Sequence, residues 1–446
     1  MNSSNYKDLL NSLIPGGAHT YSRGDDQYPS NAPSILERGK GAYVWDPSGK
    51  KYLDYGMALR AVTLGYANDR VNEAAYKEIQ KGVNLTRATT IELQAAQTMI
   101  DLIPGADMVK FAKNGSNVTT AAVKIARAYT GRKYVCVPKQ HPFFSFDDWF
   151  IGTTPIKKGI PAEHYSTTLI FDYNDIDSLE RLFDEYSGQI AAVILEPATT
   201  LLPVASKYHQ SSTDGKKKNF LHDVQYLCNK NGTVFILDEM ISGFRWHLNG
   251  AQTYFGIEPD ISTFGKGMAN GFAVSALVGK RELMKVGSID EQGSERTFLL
   301  STTHGAEMCG MGAFIETVNV YKDENVIDHL WKYGEKLFNG INAISEGLGL
   351  KSNFYMDGNQ VSMNYVTKDN DGNVSLSLRT LFAQEMIKND VLIPWIAPSL
   401  MHGDAELAIT MNAVENALKV YKKALGEGIE NHLVGSVIRP VFRQYN

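Results

Sequence analysis

The chain has 446 residues, 43% of them hydrophobic and 21% charged, and a net charge of −5. That length allows more than one domain, and the composition is that of a folded globular protein rather than a disordered one. The charge balance leaves no basic footprint for nucleic acid, and no apolar run reaches the roughly 20 residues a membrane helix needs.

Met1–Lys7 lacks the charged start and apolar core of a secretory signal. Cys136, Cys228 and Cys309 are too few and too scattered for a disulfide framework or a zinc ribbon, so a reducing cytoplasm is the expected location.

The N-terminal stretch is polar and turn-rich, with Pro15-Gly16-Gly17 and Gly24-Asp25-Asp26. Gly41–Asp46 and Lys51–Tyr55 read as two short strands about a turn at Gly49. From about residue 70 to 310, helical patterns alternate with short apolar runs, the best being Lys133–Val137, Ile190–Leu195, Thr233–Leu237 and Val274–Val278. Runs so short, apolar on both faces and separated by helices, are predicted to be buried strands of a mainly parallel sheet. The polar stretch Lys207–Lys218 reads as a solvated surface loop. Beyond about residue 320 a helix–strand mixture ends in a helix predicted over Asn412–Leu425, stopped near Gly426.

Three segments carry chemistry. Lys113-Asn114-Gly115-Ser116-Asn117 opens a helix predicted over Val118–Tyr129. Small residues with free backbone N–H groups at a helix start suit a phosphate, although a plain capped helix reads the same way. The GxGxxG and GxxxxGK[ST] spacings are missing here, which argues against a dinucleotide fold or a P-loop. The run Phe235–Leu237 ends in Asp238, an acid at the carboxyl end of a buried strand, where α/β sheets bind ligands. Such a carboxylate is costly unless a cation meets it; alone, it would equally be a helix cap or an ion-pair partner. In Pro259–Gly271, Lys266 sits in a glycine-rich turn between apolar segments. A desolvated lysine has a neutral amine that attacks carbonyls, while a surface lysine in a turn looks no different in sequence. Together, in this order, an anion-binding turn, a strand-end acid and a lysine match the three handles of pyridoxal 5′-phosphate (PLP): phosphate, pyridine nitrogen and aldehyde.

The chain is similar to the class III aminotransferases of PLP fold type I, most of all to the branch containing glutamate-1-semialdehyde aminomutase. The resemblance is carried by Asp238-Glu-Met-Ile-Ser-Gly-Phe-Arg245, Gly250-Ala-Gln-Thr-Tyr-Phe-Gly256, Pro259-Asp260 and Gly265-Lys266. Gly41-Ala-Tyr, Gly49–Asp54 and Ala126–Gly131 support it, and it runs from Gly16-Gly17 to the last helix. It implies an α/β, aspartate aminotransferase-like fold. A mainly parallel seven-stranded sheet would lie in a large PLP-binding domain over 71–315. A smaller α+β domain would be formed by 316–446 and joined by the N-terminal segment 1–70.

The same resemblance implies that Lys266 forms the Schiff base and shuttles a proton between the substrate carbon and the cofactor. Asp238 would pair with the pyridinium nitrogen, Met240 would pack under the ring, and Gly115 and Ser116 would hold the phosphate. Thr302 matches a threonine that reaches the phosphate from the neighbouring subunit, which implies a homodimer with shared sites. His141 falls where relatives stack an aromatic ring on the cofactor, a place that an ordinary surface histidine would also fit. Glu196, before Pro197 at a strand end, would line the site or orient its neighbours.

The substrate side departs from that branch. The aminomutase's Gly/Ser-rich gating segment is shortened or replaced here, where the stretch His141–Gly152 carries Phe143, Phe146 and Trp149. A substrate-side tryptophan of the relatives aligns with Leu59, followed by Arg60; a serine aligns with Thr20, and an acidic residue with His402. Arg23 is retained where relatives grip the substrate carboxylate. Arginine suits carboxylates and phosphates, so the expected substrate is an anionic keto or aldehyde compound. A sugar or related hydroxylated compound would fit the extra histidine and aromatics. The expected reaction is exchange between a small-molecule amino donor and a carbonyl acceptor. The aminomutase reaction is the runner-up, followed by a racemase, a decarboxylase or a non-catalytic PLP-binding protein, because fold does not fix the reaction. No metal, nucleic-acid or membrane partner is expected.

Overall fold

In the computed structural model, which describes residues 3–209, 217–290, 292–293 and 295–445, the short apolar runs of mid-chain pair into one sheet. Its strands are β1 (Met108–Ala112), β2 (Tyr134–Pro138), β3 (Thr168–Phe171), β4 (Ile190–Leu195), β5 (Val234–Glu239), β6 (Ile261–Phe264) and β7 (Ser275–Gly279). Their spatial order is β1-β7-β6-β5-β4-β2-β3. From β6 across to β3 all neighbours are parallel, whereas β7 runs antiparallel to both β1 and β6. The sheet is therefore mainly parallel and seven-stranded, as the sequence predicts.

β4 and β5 are buried at every position. Ala192 and Ile194 of β4 enter one core with Val118, Ala122 and Ile125 of the helix Gly115–Thr130. Val193 and Leu195 enter another, with Leu221, Val224 and Leu227 of the helix Phe220–Asn231. With period-two side chains divided between two dry faces, no polar alternation marks the strand in sequence. Each large apolar side chain so buried contributes roughly 1.5–3 kcal/mol.

The chain divides into two compact units. One, Asp69–Ile327, contains this sheet; in the other, the N-terminal segment up to Asn68 joins Asp328–Arg443. Within the second unit, Arg38–Lys40, Tyr43–Trp45, Lys51–Asp54 and Val391–Leu392 form a four-stranded sheet in that order. Only its last pair is parallel. Leu53, Tyr55, Phe354, Phe382, Leu418 and Tyr421 share one core, joining that sheet to the helices Leu376–Lys388 and Asp404–Glu427. The last helix begins at Asp404 rather than near Asn412. The Glu406 carboxylate accepts from Gly403 N–H at 3.0 Å, and two acids in the first turn suit the positive helix start.

One segment of this unit is under strain. Met57, Ala58, Leu59 and Arg60 have φ of +40°, +48°, +63° and +69°. A left-handed conformation costs an L-residue roughly 1–2 kcal/mol, so such a turn persists only where its surroundings dictate it. Asp54 accepts from Gly56 N–H (2.8 Å), Met57 N–H (3.0 Å) and the Tyr66 hydroxyl (2.6 Å). The Tyr66 oxygen accepts in turn from Ala58 N–H (2.8 Å), and Trp395 Nε1 donates to Gly56 O (2.8 Å).

Of the polar stretch Lys207–Lys218, residues 210–216 lie outside the described residues. Lys207 itself pairs with Asp177 and Glu180 at the surface. Among the described residues no helix is long and apolar enough to cross a membrane.

Candidate active site

The three segments singled out in sequence meet around one side chain. Asn114 caps the helix Gly115–Thr130, its Oδ1 accepting from Asn117 N–H at 3.1 Å. Gly115 and Ser116 occupy the first turn, where backbone N–H groups have no intrahelical acceptor. The Ser275 hydroxyl, at the start of β7, donates to Asn114 O at 2.8 Å and pins this turn to the sheet. Ser116 Oγ accepts from Phe146 N–H at 3.0 Å, which ties the following loop to the same turn.

β5 ends in Asp238, which is 2% exposed. Its Oδ1 accepts from Met240 N–H at 2.9 Å and from the Thr263 hydroxyl at 3.1 Å. Among the described residues Oδ2 receives no hydrogen bond. Burial raises this carboxyl from 3.8 to about 6, against the pull of Met240 N–H, the Lys266 charge and Thr263. At neutral pH it is therefore a buried anion near a cationic lysine, with an oxygen to spare.

Lys266 follows β6 and opens the short turn Lys266–Ala269 with φ of +36°, a strained value for a side-chain-bearing residue. Met240 links all three segments. A methyl group placed on Gly115 would meet the Met240 sulfur at 2.8 Å, and one placed on Gly265 would meet it at 2.7 Å. Anion turn, strand end and lysine turn thus abut one thioether, and both glycines are needed for space.

His141 is not on the surface. It is 3% exposed, with its ring 4.7 Å from that of Tyr173. Its Nδ1 accepts from Glu196 N–H at 3.0 Å, which places the ring proton on Nε2. Burial lowers its pKa to about 3, so the ring is neutral. Glu196 itself is buried at the end of β4. In the adjacent loop, Phe143 and Phe146 are exposed whereas Trp149 is buried, its indole donating to Thr120 Oγ1 at 2.8 Å. Thr302 is exposed, in a turn closed by Gly305 N–H donating to its carbonyl at 3.2 Å. Among the described residues no hydrogen bond joins Thr302 to Asp238 or the Gly115 turn.

Arg23, Arg60 and His402 belong to the other unit. Arg23 is exposed on the turn Tyr21–Arg23, and its charge acts on the phenols of Tyr28 and Tyr66. Arg60 ends the left-handed turn and is half-buried. His402 is fully buried: its Nδ1 meets Ser399 N–H (3.0 Å) and Oγ (2.8 Å), and its ring stacks on Tyr55 at 4.6 Å. The expectation that His402 faces substrate has no geometric support, because the ring offers a ligand no surface.

Sequence reasoning passed over Glu239, fully buried beside Asp238. It accepts from Ala251 N–H (2.6 Å), Gln252 N–H (2.8 Å) and the Ser242 hydroxyl (3.2 Å), and burial raises it to about 7. It anchors the strand end that carries Asp238; the only sequence signal was its adjacency to that acid.

The Aminotransferase class-III family matches residues 25–425. The chain belongs to the class III aminotransferases. A 3-aminobutyryl-CoA aminotransferase from Cloacimonas acidaminovorans (strain Evry) is 31% identical over 418 residues, 93% of this chain and 95% of that protein. A glutamate-1-semialdehyde 2,1-aminomutase from Persephonella marina is 28% identical over 415 residues, 87% of this chain and 91% of that one. Among solved structures, the PLP internal aldimine form of the FumI protein from Sphingopyxis sp. MTA144 aligns with a TM-score of 0.83. It shares 24% identity over 95% of this chain and 97% of that one. A glutamate-1-semialdehyde-aminomutase from Pseudomonas aeruginosa PAO1 aligns at 0.78, with 16% identity and 94% of each chain covered. Likenesses at that distance show the fold, which is PLP fold type I.

As a class III aminotransferase, this chain is an enzyme acting on small-molecule amino donors and acceptors, with PLP as its cofactor. The residues present fit that group: a buried carboxylate with an unused oxygen suits a pyridinium N–H, and a capped helix start suits a phosphate. The Met240 contact gives a sharp test. Gly115→Ala is expected to weaken cofactor retention about tenfold or more, because the new methyl displaces the thioether. Pairing it with Met240→Val, which removes the sulfur, should restore most of that affinity in a fluorescence titration. Equal losses in the single and double variants would show that the thioether is not what needs the glycine.

Proposed function

We propose that the enzyme moves an amino group from one small molecule to the carbonyl of another, an anionic keto or aldehyde compound. The observation that carries this reading is the buried Asp238 carboxylate, with the Lys266 charge nearby and one oxygen without a hydrogen bond among the described residues. When bound, PLP supplies an aldehyde that condenses with amines and a pyridinium ring that draws electrons from the carbon bearing nitrogen. Asp238 keeps the ring nitrogen protonated. Lys266 would hold the cofactor through Nζ and would carry a proton off the substrate carbon.

Gly115 and Ser116 would hold the phosphate through first-turn N–H groups, while Met240 and His141 would pack against the ring. A neutral His141 suits a stacking role, since it adds no charge beside the pyridinium. Thr302 serves a second copy in a homodimer, a reading its exposure in this chain supports; the few, scattered cysteines support a cytoplasmic location. Arg23 and Arg60 recognise the anionic group of the substrate. His402 serves as packing against Tyr55.

A hydroxylated, sugar-like acceptor is the finer form of this reading. Exposed Phe143 and Phe146 support it, and buried Trp149 does not. The Cloacimonas relative's name points to a CoA thioester, a second anionic class to be assayed beside it. The aminomutase reading is tested by giving the enzyme glutamate-1-semialdehyde with no amino donor. Intermolecular exchange predicts no more than about one turnover per subunit; sustained formation of 5-aminolevulinate would replace our reading with the aminomutase.

A further inference from the structure

The left-handed turn Met57–Arg60 has a dedicated fastening that amino transfer by Lys266 and Asp238 does not explain. Asp54 is buried, and its carboxylate gathers three donors: two backbone N–H groups that open the turn and the Tyr66 hydroxyl. Tyr66 then accepts from Ala58 N–H, so one phenol joins the acid to the middle of the turn. The Arg23 charge opposes the effect of burial on the phenols of Tyr66 and Tyr28. Among the described residues it forms no ion pair with Asp54, whose charge is met by N–H and O–H donors. Tyr66 thus fastens the turn bearing Leu59 and Arg60, in the same unit as Arg23. Strain on this scale is kept where a fixed geometry has a use, and cations fixed in advance lose less freedom when an anion arrives.

We propose that the Asp54–Tyr66 pair is a positioning device for substrate recognition, holding the turn that bears Leu59 and Arg60 in the one conformation that serves, with Arg23, to select an anionic substrate. The inference rests on the anionic-substrate reading above. Asp54 and Tyr66 act through the turn and are positioning residues, not catalytic ones.

The probe is maleate, an unreactive dicarboxylate, titrated into the holoenzyme. Tyr66→Phe keeps the ring but removes the hydroxyl from both partners, and is expected to raise the maleate Kd about tenfold. Its cofactor absorption should stay as in wild type, because Lys266 and Asp238 belong to the other unit. Ala58→Gly guards against a simple folding defect. Glycine adopts the +48° φ without strain, so this variant should match or exceed the wild-type Tm while its looser turn weakens maleate at least about threefold. A merely structural fastening would move Tm and leave maleate binding alone. Wild-type maleate affinity in both variants, or no maleate binding by the wild type, overturns the proposal. Tyr66-dependent maleate binding by an enzyme that no amine converts would uphold the positioning role and count against amino transfer alone.

Discussion

Lys266→Ala is expected to lower turnover by at least about 10⁴-fold, because one amine both attaches the cofactor and moves the substrate proton. The variant should nevertheless fold and keep much of its cofactor affinity. The Gly115 turn and Asp238 are unaffected by the change, and alanine is easier than lysine to pack in a short turn. Borohydride treatment separates attachment from affinity. In the wild type, reduction should fix the cofactor's mass on the peptide carrying Lys266; in the variant no peptide should carry it. Added methylamine should restore a small part of the activity, as a free amine takes over the proton transfer. A variant that is still covalently modified after reduction would place the chemistry on another residue.

Asp238→Asn should have opposite effects on stability and on activity. In the cofactor-free protein the carboxyl titrates at about 6, above its ordinary 3.8, because burial disfavours the anion. The unfolded chain therefore gives up this proton first as pH rises. The stabilising contribution is complete below about pH 4, falls between pH 4 and 6, and is gone above that. A rise of this size corresponds to about 3 kcal/mol. Asparagine is neutral throughout, so its stability relative to wild type should improve by about that amount between pH 4 and pH 8. Urea unfolding of the two apoproteins at both pH values measures this difference directly, and the changes in other buried groups cancel. With cofactor bound the balance reverses. The pyridinium loses its counter-charge, and turnover should fall about 10²–10³-fold. A flat stability difference across that pH range would mean that Asp238 does not carry the buried charge inferred for it.

Much of the fold was legible because burial on both sheet faces leaves apolar runs of strand length. Ile190–Leu195 coincides with β4, and Thr233–Leu237 falls on β5, Val234–Glu239. Direction was not legible. Val274–Val278 looks like the other runs, yet β7 is antiparallel, and nothing in an apolar pentamer records which way its carbonyls point. The last helix starts at Asp404, ahead of the predicted Asn412, where the Gly403 N–H donates to Glu406. In the candidate site, Asp238, Lys266 and Gly115 stand out in sequence because each lies in a short local pattern. That Met240 touches both Gly115 and Gly265 does not, since the two contacts link residues far apart in the chain. His402 illustrates the limit of positional matching: its alignment suggested substrate, while the fold buries it against Tyr55 and Ser399. Asp54 stood in sequence only as the end of the Gly49–Asp54 stretch and Tyr66 not at all, because the fastening they form follows from four positive φ angles that only the folded backbone reveals.

The most direct test of amino transfer through Lys266 follows nitrogen. Holoenzyme is incubated with ¹⁵N-labelled L-glutamate and a panel of anionic keto and aldehyde acceptors, and the products are analysed by mass spectrometry. The account predicts that ¹⁵N appears in a second molecule, that the donor becomes a 2-oxo acid, and that Lys266→Ala abolishes both. Across a panel of alternative ¹⁵N-amines, retention of the label by every donor, with no acceptor labelled by the wild-type enzyme, would contradict it.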